Sequence, residues 1–328
     1  MTSALFEYKN ITDPIHLATK VERAEEDYIL VKPKSYENVP IENWIPPAYC
    51  YTKRFQSYED NLFNFEVRKD DVWVSSFPKS GTTWCQEMVW LICHDLDFKA
   101  AKSEPLRTRF PFLEVSLIHD TLDELNSFER ARNTPSPRFI KTHLPVSMLP
   151  KQYWEVLPKT VHIHRNVKSV AVSYFHHSKN IFYKGTKEEF IRSFMKDLQF
   201  YSPIHNHVTG YHKLTNCKNI LYLKYEDMKS DLRGCVETVC RFFNRSYDDA
   251  ALDLLCEHLS FDSMKQNLAC NYENKDDHGW QSKHCDERFI RRGQIDSWNE
   301  ELSKEMVEDL DRWTRNNVQQ ENLLNLFI

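Results

Sequence analysis

The residues best suited to chemistry stand together in the segment Pro78-Lys79-Ser80-Gly81-Thr82-Thr83-Trp84. The segment follows a short apolar run and precedes residues at helical spacing. It therefore predicts a helix start, where free backbone N–H groups and the positive end of the helix dipole favour an anion. Lys79 adds a formal charge, and Gly81, one of six glycines in the chain, lets the backbone approach a ligand closely. We predict a phosphate site here; the alternative is an ordinary strand–helix turn with an exposed lysine.

The order of these residues differs from that of a Walker A loop. The Walker pattern G-x-x-x-x-G-K-[ST] places its lysine directly after the second glycine. Here Lys79 precedes Gly81, and Ser75 and Ser76 stand where the upstream glycine is expected. The sequence therefore disfavours an ordinary ATP or GTP hydrolase, and it disfavours a nucleoside kinase for the same reason.

A second pair of reactive residues, Lys141 and His143, lies in the segment 138–145, which reads Arg-Phe-Ile-Lys-Thr-His-Leu-Pro. In an extended strand, side chains two residues apart point to the same face. A histidine can remove the proton of a hydroxyl group near neutral pH, and a lysine can stabilise charge on a group in transfer. On spacing alone, a purely structural histidine remains the alternative.

Arg165 and Ser173 lie in a third segment, 164–174, and Arg291, Arg292 and Gly293 form a fourth. Arginine binds phosphate with two parallel hydrogen bonds, so both segments are candidate anion contacts, although paired charges are often only a solvated surface. His162 and His164 also share one strand face. No carboxylate or cysteine stands nearby at ligand spacing, so we predict no metal site.

The elements that must position these residues are short apolar runs, several of which lead into helical periodicity. The runs are Val72–Val74, Phe139–Ile140, Val161–Ile163 and Ile220–Leu223. Strands alternating with helices predict an α/β fold with a central parallel sheet covered on both faces, and ligands bind at the carboxyl ends of such strands. We expect residues 1–70 to be an N-terminal extension packed on the core and 70–328 to be one globular domain, with an amphipathic helix from about Leu302 to Trp313.

Composition limits the class of protein. The net charge of −5 lacks the basic excess of a general nucleic-acid binder. We expect neither a signal peptide nor a membrane span, because no charged and apolar leader and no long apolar stretch is present. The nine cysteines are scattered without a Cys-x-x-Cys pair, which is typical of a reducing compartment. Composition thus predicts a soluble, cytoplasmic α/β protein.

These segments, in this order, resemble the cytosolic sulfotransferase family over roughly residues 70 to 300. The resemblance implies a P-loop NTPase-like architecture and the donor 3′-phosphoadenosine 5′-phosphosulfate (PAPS), which leaves as adenosine 3′,5′-bisphosphate (PAP), with no metal ion. It implies that His143 removes the acceptor proton and that Lys79 neutralises the departing phosphate. Lys141 would stabilise the sulfuryl oxygens, and Ser173 would bind the 3′-phosphate and restrain Lys79.

The resemblance also assigns the donor contacts, with three departures from the family pattern. The donor-binding residues it implies are Lys79, Ser80, Gly81, Thr82, Thr83, Trp84, Arg165, Ser173, Tyr225, Leu259, Ser260, Phe261, Met264, Arg291, Arg292 and Gly293. Val167 replaces a proline and Leu259 a threonine, which removes a side-chain hydrogen bond at position 259. Arg292 replaces a lysine and keeps the charge.

The acceptor contacts follow less closely from the resemblance. Phe112 stands in the family's Pro-Phe-Leu-Glu stretch, and position along the chain adds further candidates. The predicted acceptor-binding residues are Phe112, His143, Phe175, His177, Tyr183 and Tyr272, with Tyr174 and Phe182 as neighbours. An aromatic pocket suits a flat phenol, a steroid or a polyene alcohol. Core packing is the alternative for any one of these aromatic residues.

Two alternative functions and the oligomeric state stay open at this point. The same donor motifs would serve a dehydratase that sulfates an allylic alcohol and then loses sulfate, and the sequence does not separate the two. A non-catalytic module that binds PAP or a lipophilic hormone is disfavoured, because it would not need Lys79, Lys141 and His143 together. The stretch 299–308 lacks the lysine and Thr-Val of the family's pairing motif, so a homodimer is possible but unsupported by that motif.

Overall fold

The computed structural model describes residues 5–14, 16, 27–118, 126–181, 183–273 and 289–328. Within these ranges the strands form two sheets. The strands are β1 (Phe6–Asn10), β2 (Tyr28–Pro33), β3 (Tyr49–Thr52), β4 (Val72–Ser75), β5 (Phe139–Thr142), β6 (Lys159–His164) and β7 (Ile220–Lys224). β4 to β7 form a parallel sheet in the order β5-β4-β6-β7. The predicted α/β fold with a central parallel sheet is confirmed, and all four predicted runs are its strands.

Helices connect and cover these strands. They are α1 (Phe55–Phe63), α2 (Thr82–Cys93), α3 (Phe98–Ser103), α4 (Leu106–Arg109), α5 (Ser127–Asn133), α6 (Tyr153–Val156), α7 (Val167–Ile181), α8 (Lys187–Met195), α9 (Ile204–His212), α10 (Tyr225–Ser230), α11 (Leu232–Phe242), α12 (Asp249–His258), α13 (Phe261–Gln266), α14 (Lys304–Asn317) and α15 (Glu321–Leu324). Short 3₁₀ turns span Val115–Leu117, Val146–Met148 and Ser297–Glu300. None of the helices in the described ranges has the length and apolar character needed to span a bilayer.

Both faces of the parallel sheet are buried, which explains the near-continuous apolar character of its strands. In β4, Val72 and Val74 pack into one cluster with helices α2 and α11. Trp73 points the other way and packs into the cluster that holds the apolar faces of α7 and α9. Every side chain of β4 is therefore withdrawn from water.

The amino-terminal region contains a separate sheet that the sequence does not predict. β1, β2 and β3 pair antiparallel in that order. Phe6, Ile29 and Tyr49 from this sheet are buried in the same cluster as Trp73. The small sheet therefore lies against the body of the protein and adds to its core.

Caps fix the beginnings of the helices that matter for the site. The side-chain oxygen of Asn166 accepts from the backbone N–H of Lys168 at 2.9 Å at the start of α7. Ser303 caps α14 by accepting from Met306 N. Helix α14 overlaps the stretch predicted from apolar spacing and continues past Trp313, and Leu310 on its inner face is fully buried.

Candidate active site

The phosphate loop connects β4 to α2 at the carboxyl end of the sheet. Its backbone is left-handed at Lys79 (φ 67°) and at Gly81 (φ 102°). A Cβ atom at position 81 would lie 2.7 Å from Cδ2 of Tyr225, closer than side chains tolerate, so glycine is needed for both conformation and space. Below the loop, the hydroxyl groups of Ser76 and Thr82 are 2.7 Å apart. This contact ties the start of α2 to the end of β4.

A cavity of about 310 Å³ opens at this end of the sheet, and most of the predicted residues meet there. Those that line it are Lys79, Gly81, Thr82, Thr83, Trp84, Phe112, Lys141, His143, Arg165, Ser173, Tyr174, His177, Tyr225, Leu259, Phe261, Met264, Tyr272, Arg291, Arg292 and Gly293. They come from all four strand ends, from helix α7 and from four further segments, at 112, 259–264, 272 and 291–293. The convergence was expected for parallel strands, whose carboxyl ends share one edge.

Four predicted residues lie elsewhere. The side chain of Ser80, within the phosphate loop, is buried and does not line the cavity. Ser260 caps α13 by accepting from Ser263 N. Phe175 and Tyr183 do not line the cavity; both pack against Phe190 in the core, with ring centroids 5.8 Å and 5.2 Å from it. Phe182 lies outside the described residues.

Four phenylalanine and tyrosine residues that line the cavity were not predicted: Phe110, Phe200, Tyr201 and Phe289. Phe289 places its ring centroid 4.1 Å from Nζ of Lys79 and 4.7 Å from the ring of Tyr272. Tyr201 packs edge-on to His143 at 5.5 Å. Phe289 is two residues before Arg291, and this closeness in sequence is the only feature that could have placed it at the cavity. Tyr201 depends on a left-handed backbone (φ 67°), for which the sequence carries no signal.

Cations dominate the electrostatics of the cavity. Burial first, and then the nearby charges of Lys141, Arg165 and Arg291, lower the pKa of Lys79 to about 7. Burial likewise lowers the pKa of Lys141 to about 8, although Glu114 opposes the shift. Like charges held together in a desolvated site favour a multivalent anion, which would restore the charged form of both lysines.

The imidazole of His143 has a defined tautomer. Its Nδ1 lies 2.8 Å from the carbonyl oxygen of Ser76, an acceptor only, so Nδ1 carries the proton and donates. Burial, followed by the charge of Lys141, holds the pKa of His143 well below its ordinary value. The ring is therefore neutral at pH 7, and the lone pair of Nε2 is available as a base toward the cavity.

A buried carboxylate fixes the backbone around this base. Glu114 Oε1 accepts from the N–H of His143 at 2.5 Å, and Oε2 accepts from the hydroxyl of Thr142 at 2.9 Å. Burial raises the pKa of Glu114 to about 7. From the other side, His207 Nε2 donates to the carbonyl of His143 at 2.9 Å. The strand end that presents Lys141 and His143 is thus held at several points.

Arg165 links the phosphate loop to the carboxyl-terminal arginine segment. One guanidinium nitrogen donates to the carbonyl oxygen of Lys79 and another to that of Gln294, both at 3.3 Å. The guanidinium group also lies 4.0 Å from the ring centroid of Tyr225. Beside it, Trp84 Nε1 donates to the carbonyl of Leu259 at 2.8 Å, which fixes an aromatic wall.

The arginine segment lies close over α13. A Cβ at Gly293 would lie 2.1 Å from the ring of Phe261, so only glycine permits this approach. Arg291 Nη1 lies 2.5 Å from Glu301 Oε1, and Arg292 Nη1 lies 2.6 Å from Glu300 Oε2. Both arginines line the cavity, and each has a glutamate as its ion-pair partner.

The paired histidines of β6 have protein partners. His162 Nδ1 lies 2.8 Å from the hydroxyl of Ser75, and its ring stacks on Tyr211 at 4.0 Å. His164 Nδ1 lies 3.4 Å from His212 Nε2. Across the described ranges, no group of three histidine, cysteine or acidic side chains is placed to hold a metal ion.

Comparison with known proteins gives one consistent result. The family model of the sulfotransferase domain matches residues 69–322. Luciferin sulfotransferase of Photinus pyralis is 34% identical over 80% of this chain and 76% of its own length. Sulfotransferase 1E1 of Homo sapiens is 32% identical over 79% of this chain and 87% of its own.

Solved structures agree with the fold. Retinol dehydratase in complex with retinol and PAP superposes with a TM-score of 0.84 at 26% identity, covering 95% of this chain and 96% of that chain. Mouse sulfotransferase SULT7A1 complexed with PAP superposes with a TM-score of 0.65 at 24% identity, covering 81% and 91%. Both of these structures contain PAP, the product form of the donor that the cavity's motifs predict.

Proposed function

We propose that this chain, which belongs to the sulfotransferase family, transfers the sulfuryl group of PAPS to the hydroxyl group of a small lipophilic acceptor. The family makes the chain an enzyme and a PAPS-dependent sulfotransferase. The nature of the acceptor, the roles of single residues and the independence from metal ions are our proposal.

The observation that carries the proposal is the position of a neutral histidine among cavity cations. With Nδ1 donating to Ser76, His143 can take the acceptor proton on Nε2 as the acceptor oxygen attacks sulfur. Lys141 shares the strand end and would stabilise the sulfuryl oxygens. Lys79, beside the helix start, would neutralise the departing phosphate oxygen. In this arrangement the lysines and backbone dipoles supply the electrostatic stabilisation that magnesium provides in kinases.

The donor's 3′-phosphate would occupy the cationic side of the cavity. Arg165 and Arg291 both line the cavity, and the pKa of Arg165 is lowered mainly by burial and further by the charge of Arg291, so the two lie within electrostatic reach of one another. Ser173 lines the same cavity from α7. The adenine ring would lie against Trp84 and Phe261, near the arginine segment, which Gly293 allows to pack closely on Phe261.

The acceptor would occupy the aromatic side of the same cavity. Phe112 is held against Lys141, with its ring centroid 4.2 Å from Nζ and 5.2 Å from the ring of His143. Tyr201 and Tyr272 add further apolar surface. A flat phenol, steroid or polyene alcohol fits this chemistry, because the walls are aromatic and polar groups concentrate at the reaction centre.

Incubation with ³⁵S-labelled PAPS and a panel of phenols, steroids and retinoids tests activity and acceptor class together. In His143→Ala we expect kcat to fall by about 10²–10⁴-fold, the usual contribution of a general base, while the Kd for PAP stays within about twofold of the native value. His212→Gln, a histidine outside the cavity lining, is the matched control. Near-native turnover in His143→Ala would overturn the assignment of the base.

Dehydration is a second candidate, favoured by one observation. The retinol dehydratase complex superposes over 95% of this chain with a TM-score of 0.84, against 0.65 over 81% for the mouse sulfotransferase. After sulfation of an allylic alcohol, the C–O bond would break, sulfate would leave with the electron pair, and a base would take a proton from the cation. A labelled sulfate ester in the product would support transfer alone, whereas free labelled sulfate with an anhydro hydrocarbon would support dehydration.

A further inference from the structure

We propose that Glu301 is a positioning residue that holds Arg291 inside the cavity and thereby sets the affinity for the donor's 3′-phosphate. This inference rests on the proposed function, because it takes Arg291 as a phosphate contact. Glu301 itself is not part of the cavity lining. Glu301 would affect donor binding only through Arg291.

Glu301 is a buried carboxylate with four cationic or donor neighbours, of which Arg292 is the most distant, with Nη1 3.9 Å from Oε1. Its side chain is 8% exposed, and Arg291 Nη1 lies 2.5 Å from Oε1. On the other oxygen, His176 Nε2 lies 2.5 Å and Lys187 Nζ 2.8 Å away. Burial alone would raise the pKa of Glu301, but the contacts with Lys187, His176 and Arg291 hold it at about 2. The carboxylate is therefore charged at every working pH.

The partners of Glu301 belong to three separate parts of the site. Lys187 begins α8, and His176 lies on α7 three residues after Ser173, which faces the cavity. Arg291 belongs to the arginine segment. One carboxylate thus joins the proposed 3′-phosphate contact to the helix that carries Ser173. In the sequence, the stretch 299–308 stands out only because it departs from the family's pairing motif; in the fold, Glu301 of that stretch is turned inward.

The contact does not withdraw Arg291 from the cavity. Arg291 lines the cavity, and its charge lowers the pKa of both Lys79 and Arg165. Three cations brought this close repel one another in a desolvated space, so a counter-charge behind Arg291 favours its place at the cavity. Arg291 is 23% exposed, and the carboxylate of Glu301 behind it supplies that counter-charge.

An arginine held in this way can still bind phosphate. The guanidinium group carries five N–H donors in a planar fork, and an ion pair through Nη1 leaves donors on the other edge. Fixing the side chain in advance removes a conformational cost that binding would otherwise bear. Glu301 should therefore strengthen binding of ligands that carry a 3′-phosphate and leave other nucleotides unaffected.

The test is isothermal titration calorimetry of the full chain with two ligands, PAP and adenosine 5′-monophosphate, which lacks the 3′-phosphate. For Glu301→Gln we expect PAP to bind about tenfold more weakly and adenosine 5′-monophosphate to bind as in the native chain. Glu301→Asp should recover part of the loss. Glu300→Gln is the matched control: Glu300 pairs with Arg292, which also lines the cavity, but the two side chains are 69% and 40% exposed, so solvent screens the pair and we expect a change below about twofold.

The outcomes separate the inference from the function it rests on. If Arg291→Gln leaves PAP affinity unchanged, Arg291 is not a phosphate contact and that part of the proposed function falls. If Arg291→Gln weakens PAP binding but Glu301→Gln does not, only the positioning role is wrong. Tighter binding of PAP by Glu301→Gln would mean that Glu301 sequesters the arginine instead. Equal losses for both ligands would show a structural role, and thermal melting identifies a variant that has not folded. In the Arg291→Gln background, Glu301→Gln should add no further loss.

Discussion

The depressed pKa values of the two cavity lysines predict that PAP binds more weakly as the pH rises. In the free protein, Lys79 loses its proton near pH 7 and Lys141 near pH 8. A bound bisphosphate favours the charged form of both, so above pH 7 binding must take up protons. The affinity for PAP is therefore highest at a pH where both lysines are already charged. It falls as the pH rises past the pKa of each lysine in the free protein.

The size of the effect follows from the two values. At pH 8.5, Lys79 is about 1.5 units above its pKa, which costs about 30-fold in affinity, and Lys141 is about 0.5 units above, which costs about fourfold. Together they predict a Kd for PAP that is about 100-fold higher at pH 8.5 than at pH 6.5. The ligand contributes little, since the second ionisation of a phosphate monoester lies near pH 6.

The assay is titration calorimetry of PAP between pH 6.5 and 8.5 in buffers of different ionisation enthalpy, which also counts the protons taken up. Lys79→Arg is the matched variant, because arginine keeps its charge throughout this range. In that variant we expect only the fourfold change due to Lys141. A native Kd that varies less than twofold, or a full 100-fold change retained in Lys79→Arg, would refute this account of the site.

Three further predictions concern positions that the fold constrains. Gly81→Ala forces a Cβ to 2.7 Å from Tyr225 at φ 102°, so we expect a loss of about 1–3 kcal/mol in unfolding free energy and weaker PAP binding, measured by melting and titration. Arg138→Met leaves the fully buried Asp71 without the partner 2.6 Å away, and urea unfolding should show a loss of about 3–5 kcal/mol. Phe112→Ala should raise KM for the acceptor more than KM for PAPS in steady-state kinetics, because Phe112 lies on the aromatic side of the cavity.

The central sheet could be predicted from the sequence because its strands are buried on both faces and read as apolar runs. The carboxyl ends of parallel strands share an edge, so the order of the runs alone was enough to place Lys79, His143 and Arg165 together. The sheet β1–β3 escaped prediction for the opposite reason. In β1 only Phe6 is buried among exposed or half-exposed neighbours, so its alternation is too weak to identify a strand.

The acceptor side was predicted less well because it depends on helix phase and loop conformation. Ser173 and His177 are four residues apart on α7 and both face the cavity, whereas Phe175 lies about 200° round the helix from Ser173 and faces the core. Position along the chain suggested Phe175 as an acceptor contact equally with His177, but the helical phase places Phe175 on the face away from the cavity. Tyr201 reaches the cavity through a left-handed residue, which no spacing rule indicates.

The selectivity of the cavity for anions depends on which groups the neighbouring carboxylates bind. Glu114 accepts from the His143 N–H and the Thr142 hydroxyl, and Glu226 Oε1 accepts from the N–H of Asn166 at 3.0 Å. These two acids satisfy backbone and hydroxyl donors rather than pairing directly with the lysines. Two half-buried lysines are therefore left with pKa values near neutrality, and keeping both charged is costly unless an anion enters. A phosphosulfate donor would offset that cost by its own charge, and the pH dependence of PAP binding measures the free energy it contributes.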